Sequence, residues 1–89
     1  MAWKVEIART ALRQLEKLDK PISRRILKFL HERVATLEDP RTVGGKLQGT
    51  LSEFWKYRVG DYRIICSIEQ DRLVVLVLRI GHRREVYRL

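Results

Sequence analysis

Sulfur and long apolar runs are scarce in this chain of 89 residues. Cys66 is the only cysteine, which excludes an internal disulfide framework and any multi-cysteine metal site and suits a reducing cytoplasm. The longest apolar run covers only residues 73–78, far short of the roughly 20 residues that a helix needs to cross a membrane. No charged-then-apolar signal segment follows Met1. We therefore expect a cytoplasmic protein that is neither exported nor inserted into a membrane.

Negative charge is also in short supply. The chain has 19 Lys and Arg residues against 11 Asp and Glu, a net charge of +8. A positive field of that size on so small a protein attracts nucleic acid or an acidic protein partner. The hydrophobic fraction of 45% is that of a folded domain, and this length provides one hydrophobic core. The sequence therefore predicts a single basic domain over residues 1–89.

Hydrophobic periodicity divides the chain into a helical first half and a β-rich second half. A strand pattern at residues 3–7 gives way to helical spacing over 8–18, and a second apolar stripe covers 22–37. After an irregular stretch at 41–52, the period becomes two in three predicted strands, at residues 54–59, 62–68 and 73–80. The order β-α-α-β-β-β predicts an α+β fold, in which a two-helix hairpin covers one face of a mostly antiparallel four-stranded sheet.

The dipeptide Gly60-Asp61 predicts a two-residue hairpin turn, which fixes the residues that lie opposite each other. Arg58 then faces Arg63, and Lys56 shares their side of the sheet, while Tyr57 points under the helices. Like charges opposite each other destabilise a sheet by a few tenths to about 1 kcal/mol per pair. This cluster is either an ordinary solvated face or, as we favour for three converging cations, a phosphate-binding site.

The next strand adds Arg79, whose position depends on the turn before it. A three-residue turn at residues 70–72 would set Arg79 opposite Arg63, whereas a two-residue turn would place it on the other face. The sequence leaves both registers open.

Further cations and an aromatic residue follow Gly81, which frees the backbone at that point. Arg83 and Arg84 can grip phosphates bidentately, and Tyr87 can stack on a base. This end of the chain could close over the patch formed by Lys56, Arg58 and Arg63.

Nucleotide-triphosphate and metal sites are not predicted. Gly44-Gly45-Lys46 lacks the full glycine spacing of a phosphate-binding loop, and Leu47 stands where Ser or Thr is required. The sequence contains no His-Glu-x-x-His motif. We expect neither a metal nor a cofactor.

Three segments stand out by their order and spacing: residues 46–49 (KLQG), 55–65 (WKYRVGDYRII) and 81–87 (GHRREVY). Together they resemble the RelE family of toxins from type II toxin–antitoxin systems, within the RelE/ParE superfamily. The resemblance implies an mRNA interferase, an endoribonuclease that enters the ribosomal A site and cuts the mRNA there. It also implies contacts with rRNA and a RelB-like antitoxin that silences the toxin in a hetero-oligomer, with the free toxin monomeric.

The resemblance also assigns roles to individual residues. Arg63 and Arg83 match the arginines that stabilise the scissile phosphate, and Tyr87 matches the tyrosine that orients the nucleotide. Lys56 and Arg58 stand at the positions of two family lysines credited with acid–base and electrostatic work.

The general base is left open between two residues. The guanidinium of Arg58 stays protonated and is confined to a charge clamp, so Lys56 becomes the first candidate. His82 is the second, because an unperturbed histidine titrates near neutral pH. In either case the nucleophile is the 2′-hydroxyl of the RNA, and no metal is needed. We expect the neighbouring cations to contact RNA as well: Lys46, Arg58, Arg79 and Arg84.

Two other functional classes remain possible. One is a ParE-like inhibitor of DNA gyrase that cuts nothing, and the other is a catalytically silent module that binds RNA or an antitoxin. Neither requires the complete set of Lys56, Arg63, Arg83 and Tyr87.

Overall fold

Two helices and five strands form the protein, whose computed structural model describes residues 3–51 and 53–86. The elements are, in chain order, β1 (Lys4–Ile7), α1 (Arg9–Glu16), α2 (Lys20–Lys28), β2 (Gly45–Lys46), β3 (Trp55–Val59), β4 (Tyr62–Glu69) and β5 (Val74–His82). Pro21 lies in the first turn of α2, where its missing N–H costs no hydrogen bond. The helix continues into a π-helical turn at Phe29–Val34.

The strands form one mixed sheet in the order β1-β5-β4-β3-β2. β1 runs parallel to β5, and the other neighbours are antiparallel. The α+β prediction is confirmed, but the prediction of four strands is wrong. The additional strand, β2, lies within the stretch predicted to be irregular, because two residues are too few to show a period of two.

The main core lies between the helices and one face of the sheet. Leu15 of α1 and Ile26 of α2 pack with Tyr57 of β3 and Ile64 of β4, and all four are buried. The indole N–H of Trp3 donates to the carbonyl of Glu38 at 3.0 Å and ties the start of the chain to the end of the helical segment. This one-sided packing leaves the opposite face of the sheet free of helices.

A second, smaller apolar cluster lies on that opposite face. Leu47, Ile65 and Val86 are buried there, with Leu51 and Phe54 packed against them. The cluster was not foreseen from the sequence, because Val86 reaches it from a turn far along the chain. Among the residues that the structure describes, no helix is long and apolar enough to span a membrane.

Candidate active site

The β3–β4 hairpin holds three of the predicted site residues on the helix-free face of the sheet. Arg58 pairs with Arg63 and Lys56 pairs with Ile65, so the register predicted from Gly60-Asp61 is confirmed. Gly60 takes the left-handed conformation, with φ of +59°, which glycine adopts at no steric cost. The turn therefore sets the two arginines opposite each other.

Arg63 is fixed by the backbone of its own hairpin. Its Nη1 group donates to the carbonyl oxygens of Gly60 and Tyr62, both at 3.0 Å. These two bonds use one guanidinium nitrogen, and the other nitrogens make no hydrogen bond within the described part of the chain. The guanidinium is therefore held in place with donors left for an anion.

The segment after β5 carries the next two cations back to this hairpin. The backbone N–H of Arg83 donates to the carbonyl of Asp61 at 2.8 Å. Two later N–H groups, of Glu85 and Val86, donate to the carbonyl of His82 at 2.9 and 3.0 Å. Because Val86 is buried in the second apolar cluster, the turn is held over the helix-free face.

An open cleft of about 540 Å³ results from this arrangement. It is lined by Val43, Gly45, Lys56, Arg58, Arg63, Arg83 and Arg84. Five of the seven lining residues are cations, and among the described residues no carboxylate lines the cleft. Such a surface favours a phosphate diester, whose charge offsets the mutual repulsion of the cations.

Two adjacent glycines make room for Tyr57 and Lys56. A Cβ atom at Gly45 would lie 3.2 Å from Cε of Lys56, and one at Gly44 would lie 3.0 Å from Cε1 of Tyr57. The Tyr57 hydroxyl donates to the carbonyl of Pro40 at 2.9 Å and so holds the start of the segment that carries both glycines. Sequence reasoning assigned these glycines no contact with the site, because that contact depends on the unforeseen β2–β3 pairing.

Burial perturbs two ionisable groups behind the site. It raises the pKa of the Tyr57 hydroxyl, and the nearby Cys66 and Asp39 raise it further, partly offset by Arg41. Burial likewise raises the pKa of the Cys66 thiol. Both groups therefore remain neutral parts of the core.

His82 does not line the cleft. It pairs with Tyr62 across the β4–β5 ladder, on the side of the sheet that carries the helices, and the two rings meet edge to face at 6.0 Å. Its Nδ1 atom accepts a hydrogen bond from the backbone N–H of Arg84 at 3.3 Å. The structure thus separates His82 from Lys56, the other candidate base.

Arg79 and Lys46 also lie outside the cleft. A loop of four residues precedes β5, and the register shifts between Ile65 and Cys66, so that Arg79 pairs with Ile65. Arg79 is on the same side of the sheet as Arg63 but lines a small apolar pocket of about 150 Å³. Lys46 pairs with Trp55, one position away from the cleft-facing pair. Tyr87, the remaining predicted site residue, lies outside the described residues.

Sequence comparison places the chain among known toxins. Residues 5–87 match the family model described as the ParE toxin of the type II toxin–antitoxin system parDE. Toxin RelG of Mycobacterium tuberculosis is 31% identical over 88 residues, which are 99% of each chain. The mRNA interferase toxin RelE of Escherichia coli is 31% identical over 90 residues, covering 98% of this chain and 92% of that protein.

Solved structures show the same fold. The toxin–antitoxin complex RelBE2 of Mycobacterium tuberculosis contains a chain that matches with a TM-score of 0.85 and 28% identity, over 96% of this chain and 95% of that one. An archaeal RelE–RelB complex from Pyrococcus horikoshii matches with a TM-score of 0.75 and 29% identity, over 97% and 100%. On these matches, the chain belongs to the RelE family of type II toxins, within the RelE/ParE superfamily.

Proposed function

We propose that the protein is an mRNA interferase, a metal-independent endoribonuclease that cuts mRNA in the ribosomal A site and so stops translation. One observation carries the proposal: the cleft combines the Lys56 amine with arginines and has no carboxylate among its described lining residues. The name of the Escherichia coli relative, mRNA interferase toxin RelE, supports the same activity. Action on ribosomes places the reaction in the cytoplasm.

The proposed reaction begins when the Lys56 amine takes the proton of a 2′-hydroxyl group. The oxygen attacks the adjacent phosphorus, an O2′–P bond forms, and the P–O5′ bond breaks. The leaving 5′ oxygen takes a proton from water, and the hydroxide that remains takes the proton held by Lys56, which restores the amine. The products are a 2′,3′-cyclic phosphate and a 5′-hydroxyl. Arg63 and Arg83 stabilise the charge that develops on the phosphate oxygens, and Arg58 adds a further fixed positive charge.

An antitoxin is the second proposed partner. The solved relatives include RelE–RelB and RelBE2 complexes, and the net charge of +8 suits an acidic protein. A RelB-like antitoxin that covers the cleft would exclude mRNA from it.

Primer extension on an mRNA with translating ribosomes tests the proposal. We expect the wild-type protein to cut at A-site codons, and Arg63→Ala and Arg83→Ala each to lower the cleavage rate by about 10²–10³-fold, because each removes a preorganised donor to the developing charge. Arg13→Ala, on the exposed face of α1, is the matched control and should change the rate less than about threefold. Failure of the wild-type protein to cut any mRNA on ribosomes would contradict the proposal.

The match to the ParE toxin family model favours inhibition of DNA gyrase as a second candidate. A supercoiling assay with the same variants separates the two. Loss of supercoiling activity without cleavage of mRNA would support the gyrase alternative.

A further inference from the structure

A second basic concavity lies beside the cleft, between the hairpin and the helices. Its volume is about 370 Å³, and we call it the helix-side groove. Its lining includes four cations, Arg25, Lys28, Arg33 and Arg58, and the apolar residues Phe29 and Val59. The floor is apolar and the rim carries four cations.

The cations of the groove are poorly compensated. Glu32 is its one lining carboxylate, and it pairs with Lys28 at 3.9 Å, with both side chains more than half exposed. Such an exposed ion pair contributes little to stability. Arg25, Arg33 and Arg58 have no ion-pair partner within the described residues. Their convergence therefore favours an anion supplied by another molecule.

Arg58 connects the groove to the cleft, because its side chain lines both. The two-residue strand β2 pairs only with Trp55 and Lys56, so the edge of β3 is free of a strand partner at Arg58. A polymer bound in the cleft can pass around this edge into the groove. The ring of Phe29 packs edge to face on Tyr57 at 5.9 Å, which makes the floor of the groove a fixed apolar surface.

We propose that the helix-side groove binds the phosphate backbone of the RNA next to the scissile nucleotide. This inference rests on the proposed function, since it takes the ligand of the cleft to be RNA. Arg25 and Arg33 would each contact one phosphate, while Phe29 and Val59 support a sugar or the face of a base. The position of the cut would then depend partly on the stretch of RNA that is bound outside the cleft.

The test is the salt dependence of RNA binding. The probe is a short fluorescent single-stranded RNA with 2′-O-methyl groups throughout, which cannot undergo the proposed cleavage, and affinity is measured by anisotropy at several salt concentrations. We compare Arg25→Gln/Arg33→Gln with Arg9→Gln/Arg13→Gln, which removes the same charge from α1, where neither residue lines the cleft or the groove.

Each phosphate contact with a single strand contributes about 0.7 to the slope of log affinity against log salt. We therefore expect Arg25→Gln/Arg33→Gln to lower the slope by about 1.4 relative to the α1 control. Arg33→Gln alone, which leaves Arg25 in place beside the hairpin, should lower the slope by about half as much. This single variant keeps the test valid if the double variant misfolds. Equal slopes for the two double variants would overturn the proposal.

Two further outcomes distinguish RNA binding in the groove from binding of an acidic protein segment, and the groove proposal from the proposed cleavage. If Arg25→Gln/Arg33→Gln loses affinity for a polyglutamate peptide but keeps the RNA slope of the control, the groove serves an acidic protein segment and the proposal is wrong. If the wild-type protein never cuts mRNA but the RNA slope falls as expected, the groove proposal stands while the proposed cleavage fails.

Discussion

Single residues determine the chemistry available in the cleft. Lys56 and Arg58 are two positions apart on one strand and therefore point to the same face, and both are exposed. Arginine at 58 cannot release a proton under ordinary conditions, so the neighbouring lysine is the cleft residue suited to act as the base. Of the two proposed bases, Lys56 lines the cleft and His82 does not.

The choice of base predicts a contrast between two variants. Lys56→Ala should lower the cleavage rate by about 10²–10⁴-fold, the contribution of a positioned general base, whereas His82→Ala should lower it less than about tenfold. Lys56→Arg keeps the charge but cannot accept the proton, and it should be as inactive as Lys56→Ala. Rates are read from single-turnover cleavage across a range of pH. Near-normal activity of Lys56→Arg would show that position 56 acts through charge alone.

At the scale of elements, the hairpin could be predicted and β2 could not. Gly60-Asp61 stands between two runs with a clear period of two, and that local pattern was enough to place Arg58 opposite Arg63. Gly45 and Lys46 show no such pattern, and the hydrogen bond from Tyr57 to the carbonyl of Pro40, which holds the chain before them, joins residues far apart in the sequence. Contacts between distant segments, such as Arg83 with Asp61, leave no mark in local sequence.

The position of β2 predicts different effects for its two neighbouring glycines. Gly45→Ala sets a Cβ 3.2 Å from the flexible end of Lys56, so it should lower the cleavage rate at saturating substrate while changing stability by less than about 0.5 kcal/mol. Gly44→Ala sets a Cβ against the rigid ring of Tyr57 and the carbonyl of Lys56. It should therefore lower the free energy of unfolding by about 1–3 kcal/mol.

Urea unfolding and single-turnover cleavage distinguish these effects of Gly45→Ala and Gly44→Ala. The interpretation is wrong if Gly45→Ala destabilises the fold as much as Gly44→Ala, because the rate loss would then reflect unfolding rather than a displaced lysine.

At the scale of the whole molecule, one sheet separates two apolar clusters, and the cations of the cleft lie on its helix-free face. The main core contains Tyr57 and Cys66 on the helix side, and the smaller cluster around Ile65 holds the turn that carries Val86. The composition gave the overall charge, and the hairpin turn brought Lys56, Arg58 and Arg63 together, but the sequence left open which further cations join them. Arg79 illustrates this, since a bulge between Ile65 and Cys66 fixes its place.

The neutral core predicts a loss of stability at alkaline pH. The native state holds the pKa of Cys66 and Tyr57 above their ordinary values of 9.0 and 10.0, so both stay protonated in the native state while they ionise in the unfolded chain. The free energy of unfolding should be unaffected by these groups below pH 9 and should fall as pH rises, by at most about 1.4 kcal/mol per pH unit for each group.

Urea titrations from neutral pH to about pH 10.5 check this behaviour. Cys66→Ala removes the titrating thiol, so its free energy of unfolding should fall less steeply above pH 9 than that of the wild-type protein. The variant starts from a lower stability because the substitution leaves a small cavity. Parallel curves for the two proteins would contradict the assignment of a raised pKa to Cys66.

The parallel pairing of β1 with β5 has a consequence for biosynthesis. Synthesis proceeds from the N-terminus, yet Lys4–Ile7 finds its sheet partner only in residues 74–77, and non-local pairings of this kind form late and slowly. No fragment that stops before Val74 can close the sheet, and Arg83 is made later still. A chain that is still being synthesised, or a product truncated before Val74, therefore cannot present a finished cleft.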